Sequence, residues 1–202
     1  MDSKSILIAR DDKFYDSILT ILSSSQSIFV FSQCLNIIKE FGIQKQVSIQ
    51  PNLPISIPRG NNNEYLLFHS DSFVKDLSQD IKPERIKLDL RSVDKPIDYE
   101  RSGLVQMPDL GFIRKSIIQG AFIQFYELNK PPEKLLNWSE KWKFAWLIRN
   151  AFAHGGVVNW TDDRICEVSW DSFSFTRSTD NGREIIFNNF GEADIIILLT
   201  QL

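Results

Sequence analysis

Near the start of the chain, apolar residues recur at three- and four-residue spacing in two stripes. Phe14, Ile18, Ile21 and Leu22 form the first, and Phe31, Cys34, Leu35, Ile38 and Phe41 form the second after Ser23-Ser24-Ser25. Residues 11–42 therefore read as helix, broken at the serines and stopped by Gly42. From residue 47 to 108 the periodicity collapses. Prolines at 51, 54, 58, 83, 96 and 108, with Gly60-Asn61-Asn62-Asn63, mark turns and irregular chain. Short strands are expected at 47–49 and 64–69, and a short helix at 71–79.

The helical period returns at Asp109, a good N-cap. Leu110, Ile113, Ile117, Ala121, Phe125 and Leu128 form a stripe that Pro131-Pro132 interrupts. A second helical segment runs from about 132 to 154 and ends at Gly155-Gly156. Two long helices joined by a link of about four residues lie antiparallel. Beyond Gly156 the period becomes two, and strands are expected at 157–160, 165–170, 172–177 and 184–187. Thr179-Asp180-Asn181-Gly182 supplies a hairpin signal between the last two. Residues 192–202 read as either a short helix or a last strand, because Ile195, Ile196 and Ile197 are β-branched. The expected class is α+β, an antiparallel helical bundle with a small antiparallel β extension. Residues 1–108 and 109–202 are its two parts, packed together or forming one continuous domain.

Composition narrows the functional classes. A formal charge of -3 weighs against a high-affinity, non-enzymatic binder of RNA or DNA, since phosphate contacts dominate such affinity. Local patches survive a negative total. Fifteen Phe and five Trp make the chain unusually aromatic. Cys34 and Cys166 lack metal-ligand spacing, and Cys34 reads as a small buried hydrophobe among Phe31, Leu35 and Ile38. The first ten residues lack the apolar run of a signal peptide, and the run 195–199 is too short to span a bilayer. A cytoplasmic protein without a membrane partner is expected. His69 stands in no Gly-x-Ser-x-Gly elbow, and Asp11-Asp12 and Asp162-Asp163 suit turns and caps better than metal. No glycine-rich phosphate loop or dinucleotide fingerprint occurs.

One segment carries chemistry: Trp146-Leu147-Ile148-Arg149-Asn150-Ala151-Phe152-Ala153-His154-Gly155. On a helical wheel with Trp138 at zero, Trp142 falls near 40°, Ala145 near -20°, Phe152 near -40° and Arg149 near 20°. Arg149 is thus expected inside the apolar arc, where its permanent charge needs a partner or a cleft. A groove in which an anion supplies the partner is one solution, and its planar fork suits phosphate. Asn150 and His154, four apart, share a neighbouring face. At the last turn the helix dipole favours a charged imidazole and Arg149 opposes it, a balance suited to acid–base work. Asn150 is placed to hold that ring or a ribose hydroxyl. Lys143 lies towards the same face and is positioned to touch phosphate.

This segment, Arg-Asn-x-x-Ala-His-Gly at the end of an amphipathic helix, resembles the signature of the HEPN superfamily. With ten Arg and two His in 202 residues, a five-residue gap arises by chance roughly 0.1 times. The spacing is therefore joined to Asn150, the Gly155 stop and the preceding helix. The resemblance covers residues 109–154, is looser over 155–202, and takes nothing from 1–108. It implies a HEPN helical core and a metal-independent, cofactor-free endoribonuclease acting as a homodimer, with RNA as substrate. Arg149 would stabilise the phosphorane, His154 would move the proton of the 2′-hydroxyl or of the leaving oxygen, and Asn150 would orient. Relatives of this kind serve as toxins or antiviral effectors, some with an antitoxin or regulatory partner. Others have lost catalysis and bind proteins or nucleotides.

Structural readings compete at every position. Arg149 would pair with Glu127 or Glu140, and His154 would cap its own helix. Trp138, Trp142 and Trp146 suit a core or dimer interface better than a base-stacking platform. Lys141 and Lys143 would simply be solvated.

Overall fold

The structure, a computed structural model, describes residues 4–41, 55–60, 64–69, 71–92 and 111–202. The expected strand at 47–49, the stop at Gly42 and the Asp109 cap lie outside the described residues. The chain divides into two compact units. One comprises Met1–Pro58 and Asn62–Ile118, the other Arg59–Asn61 and Gln119–Leu202.

The first unit contains strand β1 (Lys4–Ala9), helix α1 (Tyr15–Phe41), strands β2 (Ile55–Pro58) and β3 (Glu64–Phe68), helix α2 (Asp71–Ser78) and strand β4 (Arg85–Ser92). The strands form one antiparallel sheet in the order β1-β4-β3-β2. Three of them were not expected. Arg85-Ile86-Lys87-Leu88 alternates with period two, but the prolines that dominate this region drew attention to turns. The two pairs Ile8↔Ile86 and Leu66↔Leu90, with Phe68↔Leu88, set the register that sends their apolar side chains to one face. The expected break at the serines is absent, and α1 runs through it. Ser23 donates to Leu19 O at 2.6 Å and Ser27 to Ser23 O at 2.8 Å, so these hydroxyls bond to the helix's own carbonyls instead of ending it. Cys34 is only half-buried, and both cysteines are free.

Asp89, at the centre of β4, is 3% exposed. Ser5 Oγ donates to it at 2.6 Å, and this bond holds its carboxyl below the ordinary value of 3.8, against burial and with help from Lys87 and His69. A carboxyl whose pKa falls on folding stabilises the fold above its unfolded value and loses that contribution as pH drops through the lower folded value. Acid unfolding of Asp89→Asn, followed by circular dichroism below pH 4, is therefore expected to show a shallower loss of stability than wild type. An unchanged acid limb would remove Asp89 from the acid-sensitive groups.

The second unit holds the two long helices, α3 (Gly111–Asn129, joining from Gln119) and α4 (Glu140–Ala153). They are antiparallel: Gln119 Nε2 donates to Phe152 O at 3.0 Å at one end, and Phe125 stacks on Trp142 at 6.4 Å towards the other. The link is longer than expected. Pro131-Pro132 and a 3-10 turn, Leu135–Asn137, precede Ser139, and α4 begins only at Glu140. Phe144, Ala145, Trp146, Leu147, Ile148, Ala151 and Phe152 are all buried, so apolar contact wraps α4 almost completely.

A hairpin follows, β5 (Glu167–Trp170) and β6 (Phe173–Thr176), turning at Asp171-Ser172 with Asp171 at φ 52. The expected hairpin at Asn181-Gly182 is not formed. Asp180 accepts from Thr176 N at 2.8 Å and from Thr179 Oγ1 at 3.0 Å, and the chain there winds into helix α5 (Arg177–Asp180). The expected strands at 157–160 and 184–187 reduce to isolated bridges, Val157↔Glu184 and Ile186↔Phe190. The last residues form helix α6 (Glu192–Leu199), buried along its whole length. Burial explains why an isoleucine run is helical here: contact on every side outweighs a weak local preference. Phe144 of α4 meets the rings of Trp170, Phe173, Phe175 and Phe190 at 5.6–6.4 Å, which ties helix to hairpin.

The segment around Arg59 is anchored in this unit. Asp194 accepts from Arg59 Nε at 2.6 Å, Gly60 N at 2.7 Å and Gly191 N at 2.9 Å. Gly60 lies so close to the backbone that an added Cβ would stand 1.7 Å from Asn189 O.

Candidate active site

The C-terminal end of α4 is shaped by two glycines. Gly155 (φ 70) and Gly156 (φ 93) adopt the left-handed conformation, and Gly156 N returns to Ala151 O at 2.8 Å. The helix therefore stops at His154 and the chain doubles back. Ile185 N bonds to Gly156 O and Val158 N to Arg183 O, which fixes the returning segment.

That return brings Asn159 to His154. Their side chains meet at 2.6 Å, Asn159 Nδ2 to His154 Nε2. With the amide nitrogen donating, Nε2 accepts and the ring carries its proton on Nδ1. His154 is exposed, so a ring held at one nitrogen keeps an open side.

Arg149 sits on the least buried line of α4, with its side chain 35% exposed, and not within the buried arc that the wheel suggested. Trp138 and Trp142, which define that arc on the wheel, are themselves only partly covered, while residues 144–148, Ala151 and Phe152 carry the buried surface of the helix. Arg149 Nε and Nη2 both reach Glu127 Oε1, at 2.9 and 2.8 Å. Glu127 also receives Lys130 at 2.6 Å through Oε2. The Lys130 hydrogen bond lowers the Glu127 pKa first, against partial burial, and Arg149 adds to it. Two cations thus share one carboxylate at a solvent-facing site.

Asn150 is 6% exposed and does not reach the His154 ring. Its amide nitrogen donates to Thr161 Oγ1 at 3.2 Å and to Asn159 O at 3.4 Å, while Oδ1 accepts from Arg149 Nη1 at 3.4 Å. It therefore clamps the segment that carries Asn159, and its influence on His154 runs through that residue. Lys143 is paired with Glu140 at 2.9 Å. It precedes His154 by eleven positions, about 16 Å along a helix axis, so the structure does not bring it to this end. Of the four residues expected here, Arg149 and Asn150 touch each other, His154 joins them through Asn159, and Lys143 stands apart.

Sequence reasoning missed Asn159 because nothing in local spacing announces it: it arrives by a turn-back after the helix. Glu127 is the structural partner expected of Arg149, and the two do pair. The tryptophans pack inwards, Trp138 on Trp142 at 6.3 Å and Trp146 on Trp160 at 6.1 Å, as a core reading requires. Among the described residues no group of three His, Cys, Asp or Glu side chains is placed to hold a metal ion, and no helix is long and apolar enough to cross a membrane.

The fold is that of a mixed α+β protein, with its candidate site at a helix end. No family model, curated protein or solved structure matches the chain.

Proposed function

We propose that this chain is a metal-independent endoribonuclease of the HEPN type, acting on RNA as a cytoplasmic homodimer. The observation that carries the reading is an exposed His154, held by Asn159, at the end of the helix whose half-exposed Arg149 fork lies one and a half turns earlier. The ribose 2′-hydroxyl attacks the adjacent phosphorus, and the 5′-oxygen of the next nucleotide leaves. Imidazole takes the proton of the nucleophile or returns one to the leaving oxygen, and two copies of His154 across a dimer cleft divide these tasks. The guanidinium neutralises the charge that grows on the phosphoryl oxygens. Products carry a 2′,3′-cyclic phosphate and a 5′-hydroxyl. A toxin or antiviral-defence role, with an antitoxin or regulatory partner, belongs to the same reading. Incubating purified protein with labelled RNA in EDTA and identifying the product ends tests it. Intact RNA, at protein concentrations where the dimer is established by light scattering, would refute it.

The ion pair of Arg149 with Glu127 favours a second reading, a catalytically silent module that binds a protein or nucleotide. Glu127→Gln separates the two. In a nuclease, substrate phosphate must displace Glu127, and an exposed pair is worth about 0.2–1 kcal/mol. The variant should then bind RNA with a KM about 1.4- to 5-fold lower. In a silent module it changes only the melting temperature.

A further inference from the structure

The first unit carries a feature that the nuclease reading does not use. The register places Arg85, Lys87, Asp89 and Arg91 of β4 on the face of the sheet opposite Ile86 and Leu88, flanked by Ser5 and Leu7 on β1 and by Tyr65 and Leu67 on β3. This face is open. The side chains of Lys87 and Arg91 are 58% and 43% exposed, and Leu7 is 59% exposed.

Its charges are organised. Asp89 lies sunken in the middle, with Lys87 Nζ at 3.4 Å, Arg91 Nη2 at 3.6 Å and His69 Nε2 at 3.3 Å. Two permanent cations and an imidazole therefore surround one buried carboxylate, and Arg85 adds a third cation further along the same face, so the outward surface is positive. At the end of β3, where Arg85, Ile86 and Lys87 continue past their neighbour, a cavity of about 360 Å³ opens between His69, Arg85 and Lys87, with Phe68 and Phe73 in its lining. Same-face residues along a strand stand about 6.8 Å apart, a step comparable to that of successive phosphates in an extended polynucleotide. Tyr65 lies directly across from Arg91 and is partly exposed, a ring available for an unpaired base.

We propose that the open face of this sheet binds single-stranded nucleic acid. Arg85, Lys87 and Arg91 track its phosphates, Tyr65 stacks a base, and the cavity beside His69 receives one nucleotide. Asp89 is the internal counter-charge that keeps Lys87 and Arg91 in place. An unpaired strand fits better than an acidic peptide because the face combines a line of cations with an accessible ring and a cavity at its end bordered by His69, Arg85 and Lys87. The site stands independently of whether His154 cleaves.

The test uses the full chain and a fluorescein-labelled twelve-nucleotide deoxyuridine strand, which has no 2′-hydroxyl and so resists the proposed cleavage. Anisotropy titrations across a salt series should show that Lys87→Gln/Arg91→Gln binds at least tenfold more weakly. Its log–log salt slope should be smaller by about 1.4, the value for two lost phosphate contacts on a single strand. Lys87→Gln/Asp89→Asn/Arg91→Gln, which removes the buried charge together with its two cationic partners, should lose binding equally while keeping the wild-type circular-dichroism spectrum. Tyr65→Ala should weaken binding about tenfold. The proposal is overturned by wild-type protein that leaves the anisotropy unchanged, or by the triple variant binding as wild type does. It is equally overturned by a blunt duplex binding more tightly than the strand, or by polyglutamate of equal charge competing as well as unlabelled strand.

Discussion

Replacing His154 with alanine is expected to slow RNA cleavage in EDTA by about 10²–10⁴-fold, the usual range for losing a general acid or base. The ring is exposed at a helix end and bonds only to the Asn159 side chain among the contacts described. Its removal should therefore leave the melting temperature close to wild type. That separation matters, because a drop in activity with an intact fold locates the loss in chemistry. Arg149→Ala should cost about 10²–10³-fold in kcat, as expected for one group that stabilises developing charge. Arg149→Lys should restore only part of it, since an ammonium cannot reproduce a planar fork. The measurement is kcat and KM on a labelled oligoribonucleotide, with thermal melting of each variant beside it. If His154→Ala cuts RNA at the wild-type rate, imidazole chemistry is excluded and the silent-module reading takes its place.

The helical part of the second unit was legible because its period is long and uninterrupted. Ile113 to Leu128 and Trp138 to Phe152 repeat at helical spacing, and Gly155-Gly156 stops the second run where the structure stops it. What failed was decided by side-chain bonding and burial that residue spacing does not report. The Asn181-Gly182 signal is locally as strong as any in the chain, yet Asp180 draws in Thr176 and Thr179 and makes a helical turn instead. The strands expected at 165–170 and 172–177 do form, as β5 and β6, and their hairpin turns at Asp171-Ser172, a pair with no glycine. α6 was ambiguous because its isoleucines report burial, and burial alone does not distinguish a core helix from a core strand. In the first unit, each strand is short and lies between prolines or turns, so alternation over four to eight residues was outweighed by the turn residues around it. The candidate site shows the same limit. Arg149 and His154 are visible as a spacing, whereas Glu127 and Asn159, which determine what those groups can do, come from another helix and from a returning segment.

The largest effect on stability is expected at Asp194. This carboxylate is fully buried and is a hub for Arg59, Gly60 and Gly191. It joins the start of α6 to Arg59 and Gly60, which are distant in sequence. Asp194→Ala leaves the Arg59 guanidinium, itself 8% exposed, with the half-exposed Asp171 as its remaining carboxylate partner in the triad. It also leaves two backbone N–H groups without this acceptor. Breaking a buried pair by removing one partner costs about 3–5 kcal/mol, a large share of the about 5–15 kcal/mol that keeps a domain folded. The variant should show a sharply lower urea midpoint with little change in slope. Arg59→Met should cost less than Asp194→Ala, because it removes the guanidinium charge yet leaves the two backbone donors to Asp194 in place. The double variant should be no worse than Asp194→Ala alone, since the guanidinium that lost the Asp194 carboxylate is removed with it. Equal and additive losses in the two single variants would mean that the carboxylate and guanidinium act independently, and that the buried triad is not what holds this segment to α6.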